Sequence, residues 1–220
     1  AWALEHDPAA YAATTAICVA KDYVNLRLTG TLVTDHSDAS STDAYDLATG
    51  TWSTTLLDAA GVPAALWPEI VESTAVIGTL TAAAADELGL LRGARVVAGG
   101  GDGLMASVGA GCVTPGSPGY VCLGTSAWYA TTTTSPLLDP ERRSFSFRHV
   151  VPGLFGAFAT TQTGAGSLQW AAEALGEEPA EVSALIAAAA DVAAAGEGLF
   201  FLPYLIGERS PWWDPDASGV

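Results

Sequence analysis

The sequence predicts an α/β protein carrying parts of two domains. Helical patterns alternate with short apolar runs of strand character as far as Gly111. A Pro/Gly-rich link then spans Val113 to Gly119, and beyond it several strand-like runs follow one another before helical patterns return. Alternation of helix and strand indicates an α/β layer, and a fresh succession of strands indicates a second sheet. The expected division is therefore residues 1–111 and residues 112–220.

In the first part, Trp2 to Asp7 has helical character, and helical spacing runs from Pro8 to Tyr23 and on to Leu28, where Gly30 stops it. Thr31 to Ser41 is rich in Thr, Ser and Asp. Tyr45 to Trp52 reads as a hairpin-like connection turning at Ala48-Thr49-Gly50. Trp52 to Ala60 reads as a short helix closed by Gly61, and Pro63 and Pro68 bracket a turn holding Leu66 and Trp67. Thr81 caps a second helix that stops at Gly89, followed by a buried strand over Ala94 to Ala98. Such a buried strand among helices predicts a partly parallel sheet. Leu104 to Gly111 is a further helix with small residues spaced for close packing.

In the second part, Tyr120 to Leu123 and Ala127 to Thr131 are strands joined by the tight turn Gly124-Thr125-Ser126. A Pro/Asp/Arg loop, Pro136 to Arg143, leads to strands near Phe145 to Val150 and Leu154 to Thr160, separated by Pro152-Gly153. Helices are expected over Gly164 to Leu175 and Glu181 to Ala195, then a buried strand over Leu199 to Leu202.

Half of the residues are hydrophobic, which allows a sizeable core, and the net charge is −16 with only eight Lys and Arg. Such a surface gains nothing from phosphate or anionic lipid, so neither nucleic acid nor a membrane surface is an expected partner. Cys18, Cys112 and Cys122 lie at unrelated spacings in apolar contexts and read as buried thiols of a reducing compartment. With no membrane-length apolar run and no basic start followed by an apolar core, a cytoplasmic location is expected.

Asp102 is the first chemical candidate. Val96 to Ala98 runs into Gly99-Gly100-Gly101, so a carboxylate arrives at a strand end with little bulk around it and can accept a proton from a substrate hydroxyl. Gly-Asp-Gly is equally a turn composition. The Gly124-Thr125-Ser126 turn offers amides and hydroxyls to phosphate oxygens without any basic residue, or is an ordinary hairpin turn. Gly164-Ala165-Gly166 opens a helix and presents its N-terminus to a phosphate, or serves close packing. Neither a Walker loop nor a dinucleotide Gly-x-Gly-x-x-Gly is present. Asp35, Ser37, Asp38 and Ser40 are close enough to suggest a cation, but they lack the spacing of a calcium loop and fit local side-chain turns better. The three histidines show no metal spacing. Glu208-Arg209 reads as a structural ion pair, and Trp212-Trp213 as the buried part of a loop.

Taken in order, Lys21-Asp22-Tyr23 with Leu28-Thr29-Gly30, Asp35-x-Ser37-x-Ala39-Ser40 with Asp46 and Trp52, Gly99-Gly100-Gly101-Asp102, Leu123-Gly124-Thr125-Ser126, Leu202-Pro203-Tyr204 and Gly207-Glu208-Arg209-Ser210-Pro211 resemble the central half of the FGGY carbohydrate kinases. The xylulokinase branch is the nearest match. The resemblance covers essentially the whole chain and lies in the ordered set, since no single motif is diagnostic.

The resemblance implies an actin-like, ribonuclease H-like ATPase fold, with the C-terminal part of the sugar-binding domain in 1–111 and the N-terminal part of the nucleotide-binding domain in 112–220. It implies an ATP-dependent kinase acting on a sugar hydroxyl, D-xylulose to D-xylulose 5-phosphate, with Asp102 as general base and Asp102 and Gly103 on the sugar. MgATP would lie against Gly124, Thr125 and Ser126, with Gly164 or Gly166 nearby; no metal is assigned to residues of the chain itself. The sequence leaves the oligomeric state open, a homodimer included. Gly103-Leu104-Met105 stands where many xylulokinases have Asn-Ala-Ala, and with Trp212-Trp213-Asp214-Pro215 this keeps gluconate, or another pentulose or polyol, as the alternative substrate. An ATP-dependent regulatory module without sugar chemistry is the alternative of another class. The Asp-x-Gly-Thr phosphate motif and the Gly-Gly-x adenosine loop of the family have no counterpart in these residues. The chain thus reads as a central piece of a longer protein, expected to have little or no kinase activity alone.

Overall fold

A computed structural model describes residues 2–176 and 182–219, the side chain of Glu197 excepted. The chain divides into two compact units: residues 1–117, 132–136 and 147–156 form one, and residues 118–131, 137–146 and 157–220 the other.

The first unit begins with α1 (Trp2–His6), α2 (Pro8–Ala13) and α3 (Ala20–Thr29). Asp7 caps α2 by accepting from the Ala10 amide, with Pro8 in its first turn, and Gly30 ends α3 in the left-handed region at φ 79°. The single helix expected from Pro8 to Tyr23 is broken over residues 14–19. That stretch holds Thr14, Thr15, Ile17 and Val19, whose branched side chains favour extended backbone, and the Ile17 amide donates to the Leu66 carbonyl at 2.8 Å.

Next come β1 (Val33–Asp35), α4 (His36–Ala39), β2 (Tyr45–Asp46), β3 (Thr51–Trp52), α5 (Thr54–Ala60), β4 (Glu69–Val71), β5 (Val76–Thr79), α6 (Ala82–Leu88), β6 (Arg95–Val97) and α7 (Asp102–Gly109). β1 pairs in parallel with β4, so the expected parallel component is present, and β2 and β3 form the expected hairpin with Tyr45 opposite Trp52. Trp52 therefore belongs to a strand, and α5 starts later than the pattern suggested because Ser53 caps it. Thr81 and Gly89 cap α6 as expected.

The strand expected to be buried before the glycines differs. β6 pairs antiparallel with β5 in a two-stranded sheet, Val97 is 49% exposed, and Ala98 just beyond the strand is buried. An apolar run encodes a tendency to be covered, without specifying what covers it. The helix after the glycines begins at Asp102 rather than Leu104.

β7 (Tyr120–Leu123), β8 (Ala127–Thr133), β9 (Phe145–Arg148) and β10 (Phe155–Thr161) form a four-stranded sheet of order β7-β8-β10-β9. β7 and β8 are antiparallel, with Leu123 opposite Ala127, which leaves Gly124-Thr125-Ser126 as the hairpin loop. α8 (Gly166–Ala174) and α9 (Val182–Ala189) follow; Glu181, where the second helix was expected to start, lies outside the described residues. Leu199 to Leu202 is no strand: the four residues are 44–80% exposed and no described strand ladders with them. Trp212 and Trp213 are also less buried than expected, at 65% and 46% exposed; Trp212 bonds the Tyr204 hydroxyl and Trp213 packs edge-on to Phe145. Among the described residues no helix is long and apolar enough to cross a membrane.

Candidate functional site

In the first unit the site is a loop held from beneath. Ala98 to Gly101 connects β6 to α7, and Asp102 is the first residue of that helix, its side chain exposed. The Gly103 amide donates to Asp102 Oδ1 at 2.8 Å, which fixes one carboxylate oxygen and leaves the other for a ligand. Gly100 and Gly101 are required by space. A Cβ on Gly100 would strike Val150 and come within 3.0 Å of Ser37 Oγ, and one on Gly101 would come within 2.9 Å of Asp38 Oδ1.

Around the loop lie four charged side chains from α3, β1 and α4. Lys21 Nζ is 2.8 Å from Asp22, 3.3 Å from Asp35 and 3.4 Å from Asp38, and it also donates to the Ala98 carbonyl at 3.2 Å. Asn25 donates to the same carbonyl at 2.8 Å. Asp22 and Asp35 are wholly buried. Burial acts to lower the Lys21 ammonium, and the hydrogen bond it donates to Asp22 with the charges of the three carboxylates outweighs it, so its pKa is raised. Burial raises the Asp38 carboxyl, Asp35 and Asp22 adding to the effect and Lys21 opposing it. Asp35, Ser37 and Asp38 do form a local turn, Asp35 capping α4 through the Ser37 and Asp38 amides. Among the described residues no group of three or more His, Cys, Asp or Glu is arranged to hold a metal ion.

In the second unit the hairpin loop is held by backbone. The Gly124 amide donates to the Ser126 carbonyl at 2.9 Å, closing the turn on itself. The amides of Gly164 and Gly166 both donate to the Thr125 carbonyl, at 2.7 and 3.2 Å, and the Ala165 amide donates to the Gly124 carbonyl at 2.8 Å. Gly124, Thr125, Ser126, Gly164 and Gly166 are thus brought together. Three of the five amides are spent on holding the turn, while the amide and hydroxyl of the exposed Thr125 have no hydrogen-bond partner among the described residues. A phosphate oxygen suits that pair of donors.

Glu208 ties down the chain that leads into Gly164. It is buried, accepting from Thr161 Oγ1 at 2.5 Å, from the Gln162 amide at 2.6 Å and from the Arg209 amide at 2.7 Å. The expected ion pair is not made: Glu208 meets its neighbour's amide, and Arg209 Nε is buried without a hydrogen-bond partner among the described residues. The carboxylate instead saturates itself on the chain that leads from β10 into Gly164.

As site residues, Lys21, Asn25 and Ser73 were passed over by sequence reasoning. Their signal was weak: Lys21 stood in one of the ordered motifs without a role of its own, and Asn25 and Ser73 stood in none.

Residues 1–109 match the model of the FGGY family of carbohydrate kinases, N-terminal domain, and residues 119–220 match that of its C-terminal domain. The chain is 35% identical over 219 residues to the xylulose kinase of Escherichia coli, covering 100% of this chain and 44% of that protein. It matches the crystal structure of xylulose kinase from Rhodospirillum rubrum with a TM-score of 0.88 and 32% identity, and that of gluconate kinase from Lactobacillus acidophilus with 0.89 and 27%. Both matches cover 100% of this chain and 44% of the other. The chain therefore spans less than half the length of these relatives.

Proposed function

Since the chain belongs to the FGGY family of carbohydrate kinases, whose members have the actin-like ATPase fold, we propose that it serves in ATP-dependent transfer of a phosphoryl group to a sugar hydroxyl, forming D-xylulose 5-phosphate from D-xylulose. The observation that carries this reading is the exposed Asp102 carboxylate at the end of a loop with little freedom to move. Asp102 accepts the proton of the attacking hydroxyl, and Gly103 orients the carboxylate and lines the sugar subsite. The amide and hydroxyl of Thr125 take oxygens of the nucleotide phosphates, Gly124 and Ser126 shape the turn, and Gly164 and Gly166 hold it. ATP, as its Mg²⁺ complex, supplies the phosphoryl group and neutralises charge on it.

The same reading divides the chain at 111/112 into sugar-side and nucleotide-side parts and places the protein in the cytoplasm, with a homodimer as its assembly. Gluconate is the second substrate reading, favoured by Gly103-Leu104-Met105 and by the structural match to a gluconate kinase.

The test is Asp102→Asn in the complete protein. Turnover should be lost while ATP binding, followed by calorimetry, is kept; turnover near that of the unaltered protein would overturn the assignment of the base. A panel of pentuloses, gluconate and glycerol decides the sugar, and stimulation by gluconate without stimulation by xylulose would replace the first substrate with the second.

A further inference from the structure

The loop that delivers Asp102 is tied at two amides to one buried carboxylate. Asp35 is wholly buried, and its Oδ2 accepts from Ser37 Oγ at 2.5 Å, from the Ser37 amide at 2.9 Å and from Ser73 Oγ at 2.7 Å. Each serine then reaches the loop. Ser37 Oγ accepts from the Gly101 amide at 2.8 Å, and the Ser73 carbonyl accepts from the Gly99 amide at 2.9 Å. The chain on either side of Gly100 is thus held by two residues that share one oxygen. The serine hydroxyls have their protons committed to Asp35, so Ser37 Oγ presents lone pairs towards Gly101 and cannot turn to become a donor. A hydroxyl that donates to a charged group is also a stronger acceptor.

From this geometry we infer that Ser37, with Asp35 behind it, is a positioning residue for Asp102: it fixes the Gly101 amide and so sets where the next residue's carboxylate stands. Neither side chain touches substrate, since Ser37 is 1% exposed and Asp35 is 0% exposed. The inference rests on the reading of Asp102 as the base. Loss of the hydroxyl leaves the Gly101 amide without its acceptor and frees the one junction between the triple glycine and α7. Small displacements of a catalytic group lower the chemical step much more than ground-state binding of a distant ligand.

The experiment compares Ser37→Ala, Ser37→Thr and Asp102→Asn in the complete protein, reading kcat, KM for ATP and amide hydrogen exchange over residues 98–103. For Ser37→Ala, kcat should fall about 10- to 100-fold while KM for ATP stays within about twofold, and the Gly101 amide should exchange faster. Ser37→Thr, which keeps the hydroxyl, should restore protection and part of kcat. Unchanged exchange at Gly101 in Ser37→Ala overturns the inference, and so does faster exchange with kcat intact in a protein that Asp102→Asn inactivates. If Asp102→Asn keeps its turnover, the base assignment has failed instead, and the exchange measurement still decides whether Ser37 holds the loop.

Discussion

The two glycine-rich turns are held by different means. Ala98 to Gly101 is gripped by side chains from α3 and α4, with Lys21, Asn25 and Ser37 reaching it and Asp35 behind Ser37, in addition to main-chain bonds from the Ala98 and Gly99 amides to the Ala75 and Ser73 carbonyls. Gly124 to Ser126 is gripped by main chain: three amides of residues 164–166 donate to two carbonyls of the turn. A turn held by side chains fails when a charge or hydroxyl is removed. One held by main chain tolerates side-chain changes and fails when a Cβ forces the backbones apart.

The largest effect expected from that contrast is at Gly164. A Cβ there would lie 2.7 Å from the Ser126 carbonyl carbon and 2.8 Å from the Ala127 amide nitrogen, and backbone cannot yield as a flexible side chain can. Gly164→Ala should cost about 3 kcal/mol of stability. Gly109→Ala is the control, because a Cβ there meets nothing within 4 Å and the residue lies in α7, where alanine is the better helix former. It should be neutral or stabilise by up to about 1 kcal/mol. Denaturant unfolding of both variants decides the matter, and equal midpoints would show that the hairpin is not held by backbone contact.

The side-chain grip breaks at Lys21. Removing its ammonium leaves Asp22, Asp35 and Asp38 facing one another with no counter-charge, two of them wholly buried. Lys21→Met, which keeps the length and apolar stem, should cost about 2 kcal/mol at neutral pH, below the value for a fully buried pair because the lysine side chain is 22% exposed. The deficit should shrink on acidification, as protonation of Asp38, whose pKa is raised by burial, removes its repulsion. Thermal unfolding across pH checks this, and a deficit that is the same at acid and neutral pH would remove the ionic account of the grip.

The same contrast explains what the sequence disclosed. Gly124-Thr125-Ser126 and Gly164-Ala165-Gly166 were legible because a main-chain grip leaves glycines as its trace, and the caps Thr81, Gly89, Gly61 and Gly30 were legible for the same local reason. The exposed position of Asp102 at the end of a constrained loop was legible through its three glycines. The hub beneath it was not, since Lys21, Asp35, Ser37 and Ser73 come from separate elements and only the fold brings them together. Where a reading depended on a distant partner it went astray: Leu199 to Leu202 has the apolar composition of a buried strand but no described strand pairs with it, and Glu208 turned from Arg209's charge to the Thr161 hydroxyl and the Gln162 amide.

The smallest effect expected, and the sharpest in sign, is at Asp38. Its Oδ2 is buried, 3.4 Å from Lys21 and without a hydrogen bond among the described residues, and burial raises its pKa above the ordinary carboxylate value, with Asp35 and Asp22 adding to the effect. The folded protein therefore holds a proton on Asp38 at a pH where the unfolded chain has released it. Stability falls as pH rises from the ordinary carboxylate value through the raised one, and stays lower above that window. An amide in place of this carboxyl cannot titrate, so the unfolding midpoint of Asp38→Asn relative to the unaltered protein should move upward across the same interval and level off beyond it. A difference that moves downward with rising pH would mean that Lys21 outweighs burial at this carboxylate, and the group beneath Gly101 would then be an ion pair in balance rather than one carrying excess negative charge.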